Sequence, residues 1–196
     1  MAPNKSVIAN LVVFLTPIDL SSIAKATIFS PQVILQKIIK QKNKKFVPYI
    51  DVVQKGQIIL FDNNDDITHH IYSVSGKNRF EFKIKGNKNK KSPILNSTGE
   101  VAMGCNIHDW MSGYVYVVDT PFFTKTNTNG KAIFNDMPTG QYQLSIWHPQ
   151  LDVSNNTITQ NITIGKQTSW QITLPKALLP IPKQESEDDF DFLEDY

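Results

Sequence analysis

Residues 101–113 read VAMGCNIHDWMSG and contain the only cysteine of the 196-residue chain. Within this stretch, Cys105, His108 and Met111 are each separated by two residues. A thiolate, an imidazole and a weak thioether belong to the ligand set of blue-copper electron-transfer sites, which also includes a second histidine. Because the spacing is so short, one loop between two strands can supply all three side chains. The stretch therefore predicts most of a metal site, with one ligand to come from elsewhere.

The second histidine has two candidates upstream, His69 and His70, which are adjacent in the segment 67–74 (ITHHIYSV). This segment is predicted to be a β-strand, in which successive side chains point to opposite faces. Only one of the two histidines can therefore face the interior with Cys105, and the alternation by itself does not say which. We expect the other histidine to hydrogen-bond to the cysteine loop and hold its geometry, since outer contacts of this kind tune a bound metal.

Other roles for Cys105 fit the sequence less well. A tetrahedral zinc site is disfavoured because a thioether is a poor zinc ligand. A cysteine nucleophile needs an oriented base and an oxyanion site, whereas His108 with Met111 beyond it fits metal ligation better. The sequence has no glycine-rich phosphate loop, no paired carboxylates that can be placed and no nucleic-acid-binding pattern, so we expect neither an enzyme nor a nucleic-acid-binding protein. An inert buried cysteine in a metal-free module remains an alternative.

The composition favours an all-β chain, because threonine, valine, isoleucine and aromatic residues are plentiful and only 19% of residues are charged. Turn signals predict a hairpin at Lys55-Gly56 and a basic loop at 86–92 that could alternatively steer an anionic partner. Residues 33–41 are assigned to a strand, although a basic amphipathic helix also fits them. The predicted strands are 7–15, 33–41, 46–53, 57–61, 67–74, 79–85, 114–118, 131–135, 142–147, 158–164 and 169–174.

No membrane span is predicted, because no apolar run in the sequence approaches the roughly 18 residues that a span needs. No signal peptide is predicted either, because the longest apolar run near the N-terminus, residues 11–15, is far too short. The net charge of +2 is unevenly distributed: residues 183–196 hold seven acidic side chains and one lysine, which leaves the rest of the chain basic. Residues 175–182 are rich in proline, and 185–196 (ESEDDFDFLEDY) predict a disordered acidic tail. The spaced aromatic residues of this tail leave a short partner-binding motif as the alternative.

The chain resembles the cupredoxins over roughly residues 46–118, and most closely the amicyanin-like proteins and the cupredoxin-containing methylamine utilisation proteins. The resemblance rests on the spacing of Cys105, His108 and Met111, on Asn63-x-Asp65, on the segment 69–73 and on the stretch 104–111. In that family the upstream ligand lies in a His-Asn-Val-like triplet. Residues 69–71 match this triplet, so that His69 corresponds to the ligand and His70 to the asparagine.

The resemblance implies a Greek-key β-sandwich that holds one type 1 copper ion and transfers single electrons. It also implies a periplasmic setting, with the leader absent from this chain, and a redox partner such as a dehydrogenase or a cytochrome-like protein. The implied copper ligands are His69, Cys105, His108 and Met111. Cys105 would be the strong ligand and main electronic path, and His108 the exposed exit for the electron. Copper delivery or storage with the same ligands is the alternative function.

The residues beside His108 suggest how a partner could dock. Asp109 and Trp110 follow it directly, so one charge and one aromatic ring border the expected exit of the electron. We expect these two side chains to form a small docking patch, since aromatic residues are enriched in protein interfaces.

A less specific resemblance covers residues 126–174, which are similar to carboxypeptidase regulatory-like, transthyretin-type sandwiches. The residues of this pattern are Gly130, Ala132, Phe134, Pro138, Gly140, Tyr142 and Leu144. The strand that precedes the pattern in such sandwiches is best matched by residues 9–15, so we predict that the cupredoxin domain is inserted into the smaller sandwich. His148 is expected to be structural there, with a docking or auxiliary metal role as the alternative.

The predicted fold class is therefore all-β, with a Greek-key cupredoxin β-sandwich and a smaller β-sandwich domain. Residues 1–17 are assigned to an N-terminal strand that belongs to the smaller sandwich. The cupredoxin domain covers residues 18–118 with its core at 46–118, and the smaller sandwich covers 119–176. Residues 177–196 form the proline-rich linker and acidic tail.

Overall fold

A computed structural model describes residues 7–19, 36–165 and 167–182 of the chain. These residues form thirteen β-strands and two short 3-10 helices, η1 (Gly76–Asn78) and η2 (Ser154–Asn156). The predicted all-β fold is confirmed. No helix within the described segments is long and apolar enough to cross a membrane. The described residues divide into two compact units, one of residues 36–117 with 181–182 and the other of residues 7–19 with those of 118–180.

The unit that contains residues 36–117 has two sheets. Its first sheet contains β2 (Lys37–Lys42), β3 (Lys45–Val47), β5 (Ile59–Asn63) and β8 (Asn89–Lys91), in the spatial order β3-β2-β5-β8. Its second sheet contains β4 (Ile50–Gln54), β6 (His69–Ser73), β7 (Phe80–Ile84), β9 (Gly99–Cys105) and β10 (Ser112–Val118), in the order β4-β10-β9-β6-β7. Strands β2 and β5 are parallel, whereas β6 is antiparallel to both of its neighbours, β7 and β9.

Buried side chains from both sheets meet in one hydrophobic core. The ring of Phe61 on β5 lies 5.6 Å from Phe80 and 5.4 Å from Phe82 on β7, measured between centroids. Tilted and edge-to-face ring pairs of this kind add to the free energy of burying apolar surface. Cys105 and Met111 belong to the same core. The two candidate sulfur ligands therefore lie in a packed apolar interior.

The alternation of side chains along β6 and β7 follows the sequence prediction. On β6, His69, Ile71 and Ser73 are buried, and the side chains between them face the other way. On β7, Phe80 and Ile84 are buried and the charged residues between them point outward. Because the side-chain period of a strand is two residues, only one histidine of the adjacent pair enters the core. The structure places His69 there.

The other unit contains a four-stranded antiparallel sheet. Its strands are β1 (Val12–Pro17), β11 (Phe123–Lys125), β12 (Gly140–Trp147) and β13 (Thr157–Ile164), in the order β11-β1-β12-β13. In this sheet Val13 lies opposite Thr124 on one side and Ile146 on the other. The N-terminal strand is thus paired between two strands that lie more than a hundred residues later in the sequence. The exact domain boundaries remain a prediction.

The predicted hairpin at Lys55-Gly56 is wrong. The turn itself is present, and Gly56 has a φ of 90°, in the region that favours glycine. The strands on either side of it, however, belong to different sheets: β4 pairs with β10, and β5 pairs with β2 and β8. A local turn signal specifies a change of direction, but the partner of each strand is chosen by the core that its side chains join.

Several predicted strand bounds also differ from the structure. The first strand begins at Val12 rather than residue 7 and runs through Pro17, and the predicted loop 86–92 contains β8. Residues 131–135 and 169–174 are not strands, although Ala132, Phe134 and Ile172 pack against the core of their unit. Alternating apolar residues therefore indicated the partly buried side of these segments, although neither segment has a hydrogen-bonded partner strand. Residues 33–35 and the acidic tail 185–196 lie outside the described residues.

His148 lies in the connection between β12 and β13 and is 1% exposed. Its Nδ1 accepts a hydrogen bond from the Gln150 backbone N–H at 3.1 Å, and its own backbone N–H donates to the Asn156 carbonyl at 3.2 Å. Burial lowers the pKa of His148 to about 4. These contacts support the structural role expected for this histidine, because a buried neutral imidazole holds the turn through its unprotonated nitrogen.

This burial predicts a pH-dependent loss of stability. The unfolded chain binds a proton at His148 near its ordinary pKa of 6.5, but the folded chain does so only near 4. The contribution of neutral His148 to the free energy of unfolding is therefore fully present above pH 6.5. It falls by roughly 3 kcal/mol in total as the pH decreases towards 4. Chemical denaturation of the wild type and of His148→Asn at several pH values in this range checks the prediction.

The asparagine variant is the matched comparison because its amide oxygen can accept the Gln150 N–H without titrating. We expect its stability to fall less steeply between pH 6.5 and 4 than that of the wild type, while the carboxylates common to both proteins contribute equally. Parallel stability curves for the two proteins would contradict the assignment.

Candidate metal centre

Two neighbouring strands of the second sheet bring the candidate ligands together. Strand β9 ends at Cys105, and the loop that follows carries His108 and Met111 before β10 begins. Strand β6 begins at His69, and its residue Ile71 lies directly opposite Cys105 in the antiparallel ladder. His69 is two residues from Ile71 and shares its face, so it projects into the core beside the start of the cysteine loop.

Three buried side chains form a close cluster. The Sγ of Cys105 is 3.8 Å from Nδ1 of His69 and 3.7 Å from Nδ1 of His108. All three ligand atoms lie within 4.8 Å of one another. Nitrogen and sulfur ligands that stand about 2.0 to 2.3 Å from one ion are roughly 3.5 to 4 Å apart in tetrahedral or trigonal geometry. The spacing of the cluster therefore suits a single transition-metal ion.

Met111 is brought to the same end of the core. Its side chain is 1% exposed and belongs to the same buried cluster as Cys105. Its backbone N–H donates to the carbonyl of His108 at 2.9 Å, which closes the loop into a turn. The axial role expected for its thioether remains a prediction.

Hydrogen bonds stabilise the thiolate form of Cys105. Burial would raise the pKa of this thiol, but the hydrogen bond with His69 and those from the backbone N–H groups of Ile107, His70 and His108 outweigh it and lower the pKa to about 6. A thiolate is the form of cysteine that binds metals. Cys105 is therefore largely in the thiolate form at neutral pH.

A carboxylate orients the His69 ring from the opposite side. Nε2 of His69 donates to Oδ2 of Asp65 at 2.8 Å, which leaves Nδ1 facing Cys105. Burial opposes the charged form of His69, but the hydrogen bonds with Cys105 and Asp65 raise its pKa. Asp65 lies in the sequence motif Asn63-x-Asp65, yet the sequence did not indicate this contact. Only the fold places the 63–66 loop against the imidazole.

The ring of His70 takes no part in the cluster. Its Nε2 lies 2.7 Å from Oε1 of Glu81 on the outward face of the sheet. The backbone of His70 does contact the cysteine loop, because its carbonyl accepts the Asn106 N–H at 2.9 Å and its N–H bonds to the Cys105 sulfur. The expected support of the cysteine loop by the second histidine is thus present, but its main chain provides it.

The expectation that His108 is exposed is wrong. The side chain is only 5% exposed. Its ring lies 5.0 Å from that of His69 and 5.6 Å from that of Trp110, measured between centroids. Packing between these two rings covers the imidazole. The exposed residues of the loop are Asn106, Ile107 and Asp109, and a docking patch formed by Asp109 and Trp110 remains a prediction.

Two glycines allow the close packing of the strands that flank the cysteine loop. A Cβ on Gly104 would lie 2.7 Å from the Tyr72 ring, and one on Gly113 would lie 3.0 Å from Cβ of Phe46. A side chain at position 104 would have to displace the Tyr72 ring of the neighbouring strand β6, and one at position 113 would press against Phe46 in the other sheet.

The metal-free protein offers a direct test of the cluster. We expect the ultraviolet absorbance of the Cys105 thiolate to titrate with a pKa of about 6, well below the ordinary value of 9.0. His69→Ala removes the imidazole that bonds to the sulfur and should raise this pKa. His70→Ala is the matched control, because its ring points to Glu81 and its backbone N–H stays in place. Equal shifts in the two variants would contradict the geometry.

Comparisons of the chain with known protein families and with curated protein sequences find no match. Among solved structures, it is similar to a Cu-containing nitrite reductase (NirK) from Thermus scotoductus SA-01, with 19% identity over 44% of this chain and 23% of that chain and a TM-score of 0.41. The chain thus spans about a quarter of that reductase.

Two further similar structures are described as an amicyanin variant and a cupredoxin. A Cu(I) amicyanin variant has 17% identity over 42% of this chain and 82% of that chain, with a TM-score of 0.39. A purple cupredoxin from Nitrosopumilus maritimus has 20% identity over 42% of this chain and 98% of that chain, with a TM-score of 0.37. At these identities and TM-scores the similarities decide neither the fold nor the function of this chain.

Proposed function

We propose that the unit containing residues 36–117 is a cupredoxin domain that binds one type 1 copper ion and carries single electrons. The proposed ligands are His69, Cys105 and His108, with Met111 as a weak axial contact. The observation that carries the proposal is the buried cluster in which two imidazole Nδ1 atoms face one thiolate sulfur at 3.8 and 3.7 Å. Two histidines, a cysteine and a weak axial methionine are the ligand set of blue-copper sites.

The donor set favours copper over zinc. A structural zinc site has four strong ligands from cysteine, histidine or carboxylates. Among the described residues, the only group of such side chains close enough to share an ion is His69, Cys105 and His108. The remaining candidate in the loop, Met111, is a soft thioether that suits copper better than zinc.

Burial favours electron transfer over copper delivery. The three clustered side chains are 0%, 4% and 5% exposed for His69, Cys105 and His108. A protein that hands its ion to another needs ligands that a partner can reach, whereas an electron carrier needs ligands that move little. The packed core and the hydrogen-bonded loop limit such movement. Copper delivery or storage with the same ligands is the competing function.

The wider setting is also part of the proposal. We place the protein in the periplasm, with a redox partner such as a dehydrogenase or a cytochrome-like protein, and as a carrier rather than an enzyme. The unit that contains β1 and β11–β13 is proposed to be a carboxypeptidase regulatory-like sandwich into which the cupredoxin domain is inserted. The pairing of Val13 with Ile146 supports this insertion.

Copper addition tests the proposal. We expect one equivalent of cupric ion to give an intense visible thiolate-to-copper absorption band and the narrow copper hyperfine splitting of a type 1 site in paramagnetic resonance. The copper should cycle reversibly by one electron. Cys105→Ser should abolish the visible band, because the alcohol cannot replace the thiolate. Circular dichroism of the metal-free variant checks that it is folded.

Each rival function predicts a different result. Colourless Cu(I) that exchanges readily with a chelator would support delivery or storage. Equal copper binding by the wild type and Cys105→Ser would support a metal-free structural module in which the cysteine is only part of the core.

The choice between the adjacent histidines is tested separately. His69→Ala should weaken copper binding by about a hundredfold or more, since it removes a ligand rather than an outer contact. His70→Ala should leave the affinity and the visible spectrum nearly unchanged, because its ring pairs with Glu81 away from the cluster. Competition titration with a copper chelator measures both affinities. A larger loss in His70→Ala would reverse the assignment.

A further inference from the structure

Asp65 accepts hydrogen bonds from three donors that come from two parts of the chain. Its Oδ2 accepts from Nε2 of His69 at 2.8 Å and from the Lys44 backbone N–H at 3.0 Å, while Oδ1 accepts from the Asn43 N–H at 2.6 Å. The side chain is 11% exposed. Burial raises the pKa of Asp65, but the hydrogen bonds from Lys44, His69 and Asn43 outweigh it and lower the pKa. Both carboxylate oxygens accept hydrogen bonds, as an ionised carboxylate can, and the three donors hold the side chain in one orientation.

The turn that bonds to Asp65 belongs to the first sheet. Asn43 and Lys44 join β2 to β3 and have φ values of 53° and 55°, in the left-handed region. Both of their N–H groups point to the same carboxylate. Because this turn is anchored by strand pairing in its own sheet, it fixes the carboxylate independently of His69.

The backbone around Asp65 is also fixed. Its N–H donates to Oδ1 of the buried Asn63, and its carbonyl accepts the Asn87 N–H, both at 3.0 Å. The Asn63 amide donates in turn to the carbonyls of Ile67 and Lys85. The 63–66 loop thus holds its carboxylate through contacts to both sheets, which is the arrangement expected of a group that must keep a ligand still.

We propose that Asp65 is a positioning residue for the copper ligand His69, and that its negative charge favours the cupric over the cuprous ion and so lowers the reduction potential. The proposal rests on the copper site proposed above. The hydrogen bond to Asp65 holds one proton of His69 on Nε2, so Nδ1, which bonds to Cys105 in the metal-free protein, is the nitrogen that an ion would bind in place of its proton. On reduction the site takes up one electron and no proton, so its positive charge falls by one. A fixed buried carboxylate stabilises the more positive state.

A second carboxylate–histidine pair in the same region of the chain serves as a control for the proposal. Glu81 holds Nε2 of His70 at 2.7 Å, almost the same distance as that between Asp65 and His69. Glu81 is 63% exposed, however, and the His70 ring points away from the cluster. Solvent screens exposed charges strongly. Two carboxylate–histidine pairs of similar chemistry thus differ in their exposure to solvent and in whether they face the candidate site.

The experiment compares Asp65→Asn with Glu81→Gln in the full chain, both loaded with copper. We expect Asp65→Asn to bind Cu(II) about tenfold more weakly relative to Cu(I), because outer-sphere partners of metal-bound histidines contribute tenfold or more. For a one-electron couple this equals a rise in the reduction potential of about 59 mV. Glu81→Gln should leave the potential unchanged. Redox titration and chelator competition in both oxidation states give these values.

A third variant separates positioning from turn stability. Asn43→Ala keeps both backbone N–H groups and the carboxylate, but alanine tolerates a φ of 53° less well than asparagine. It should lower the thermal midpoint without changing the potential. A potential shift in Asn43→Ala as large as that in Asp65→Asn would overturn the proposal in favour of a merely structural role.

A measurement on the wild type covers the case in which Asp65→Asn does not fold. Heteronuclear NMR of the cuprous protein should show the His69 proton on Nε2 and not on Nδ1, and a proton on Nδ1 overturns the proposal. Equal potentials in Asp65→Asn and Glu81→Gln overturn it as well, while leaving the copper site of the wild type intact. A wild type that binds no copper overturns both this proposal and the copper site itself.

Discussion

The contact between the buried sulfur of Cys105 and the donors around it is the interaction on which the candidate site depends. An anionic sulfur in an apolar core is unfavourable unless hydrogen bonds replace the water that it loses. One imidazole and three backbone N–H groups provide them here. Each of these donors comes either from β6 or from the cysteine loop itself. The same contacts that stabilise the charge therefore hold the loop against the strand.

This arrangement follows from the antiparallel pairing of β6 with β9. The pairing of Ile71 with Cys105 places His69 on the same face as the sulfur, and a shift of one residue would replace it with His70. Gly104 permits the two strands to approach, since a side chain there would meet the Tyr72 ring. The packing of the core thus fixes the register between β6 and β9, and this register determines which histidine faces the Cys105 sulfur.

The two carboxylate–histidine pairs show how environment separates chemically equal groups. Asp65 with His69 and Glu81 with His70 have almost the same hydrogen-bond length. The first pair is largely buried and reaches the cluster, while the second is on the solvent side of the sheet. A charge acts strongly on a neighbouring site only where water is excluded. The position of the pair in the fold, and not its chemistry, decides whether it can influence a metal ion.

Much of the candidate site could be predicted from sequence, because its three candidate loop ligands are close together along the chain. The spacing of Cys105, His108 and Met111 needs only one loop, and strand alternation shows that one histidine of the adjacent pair faces inward. The all-β class likewise follows from composition and from alternation such as that of residues 79–85. These are local properties, so they can be inferred without knowledge of distant contacts.

Other features depended on contacts between residues far apart in sequence. The pairing of β4 with β10 rather than with β5, the burial of His108 between two rings and the hydrogen bond from His69 to Asp65 all arise from packing of separate elements. The sequence by itself determined which side chains could bind a metal. Only the tertiary structure decided that His69 joins them, because the register of two paired strands and the carboxylate behind the ring are both set by the shared core.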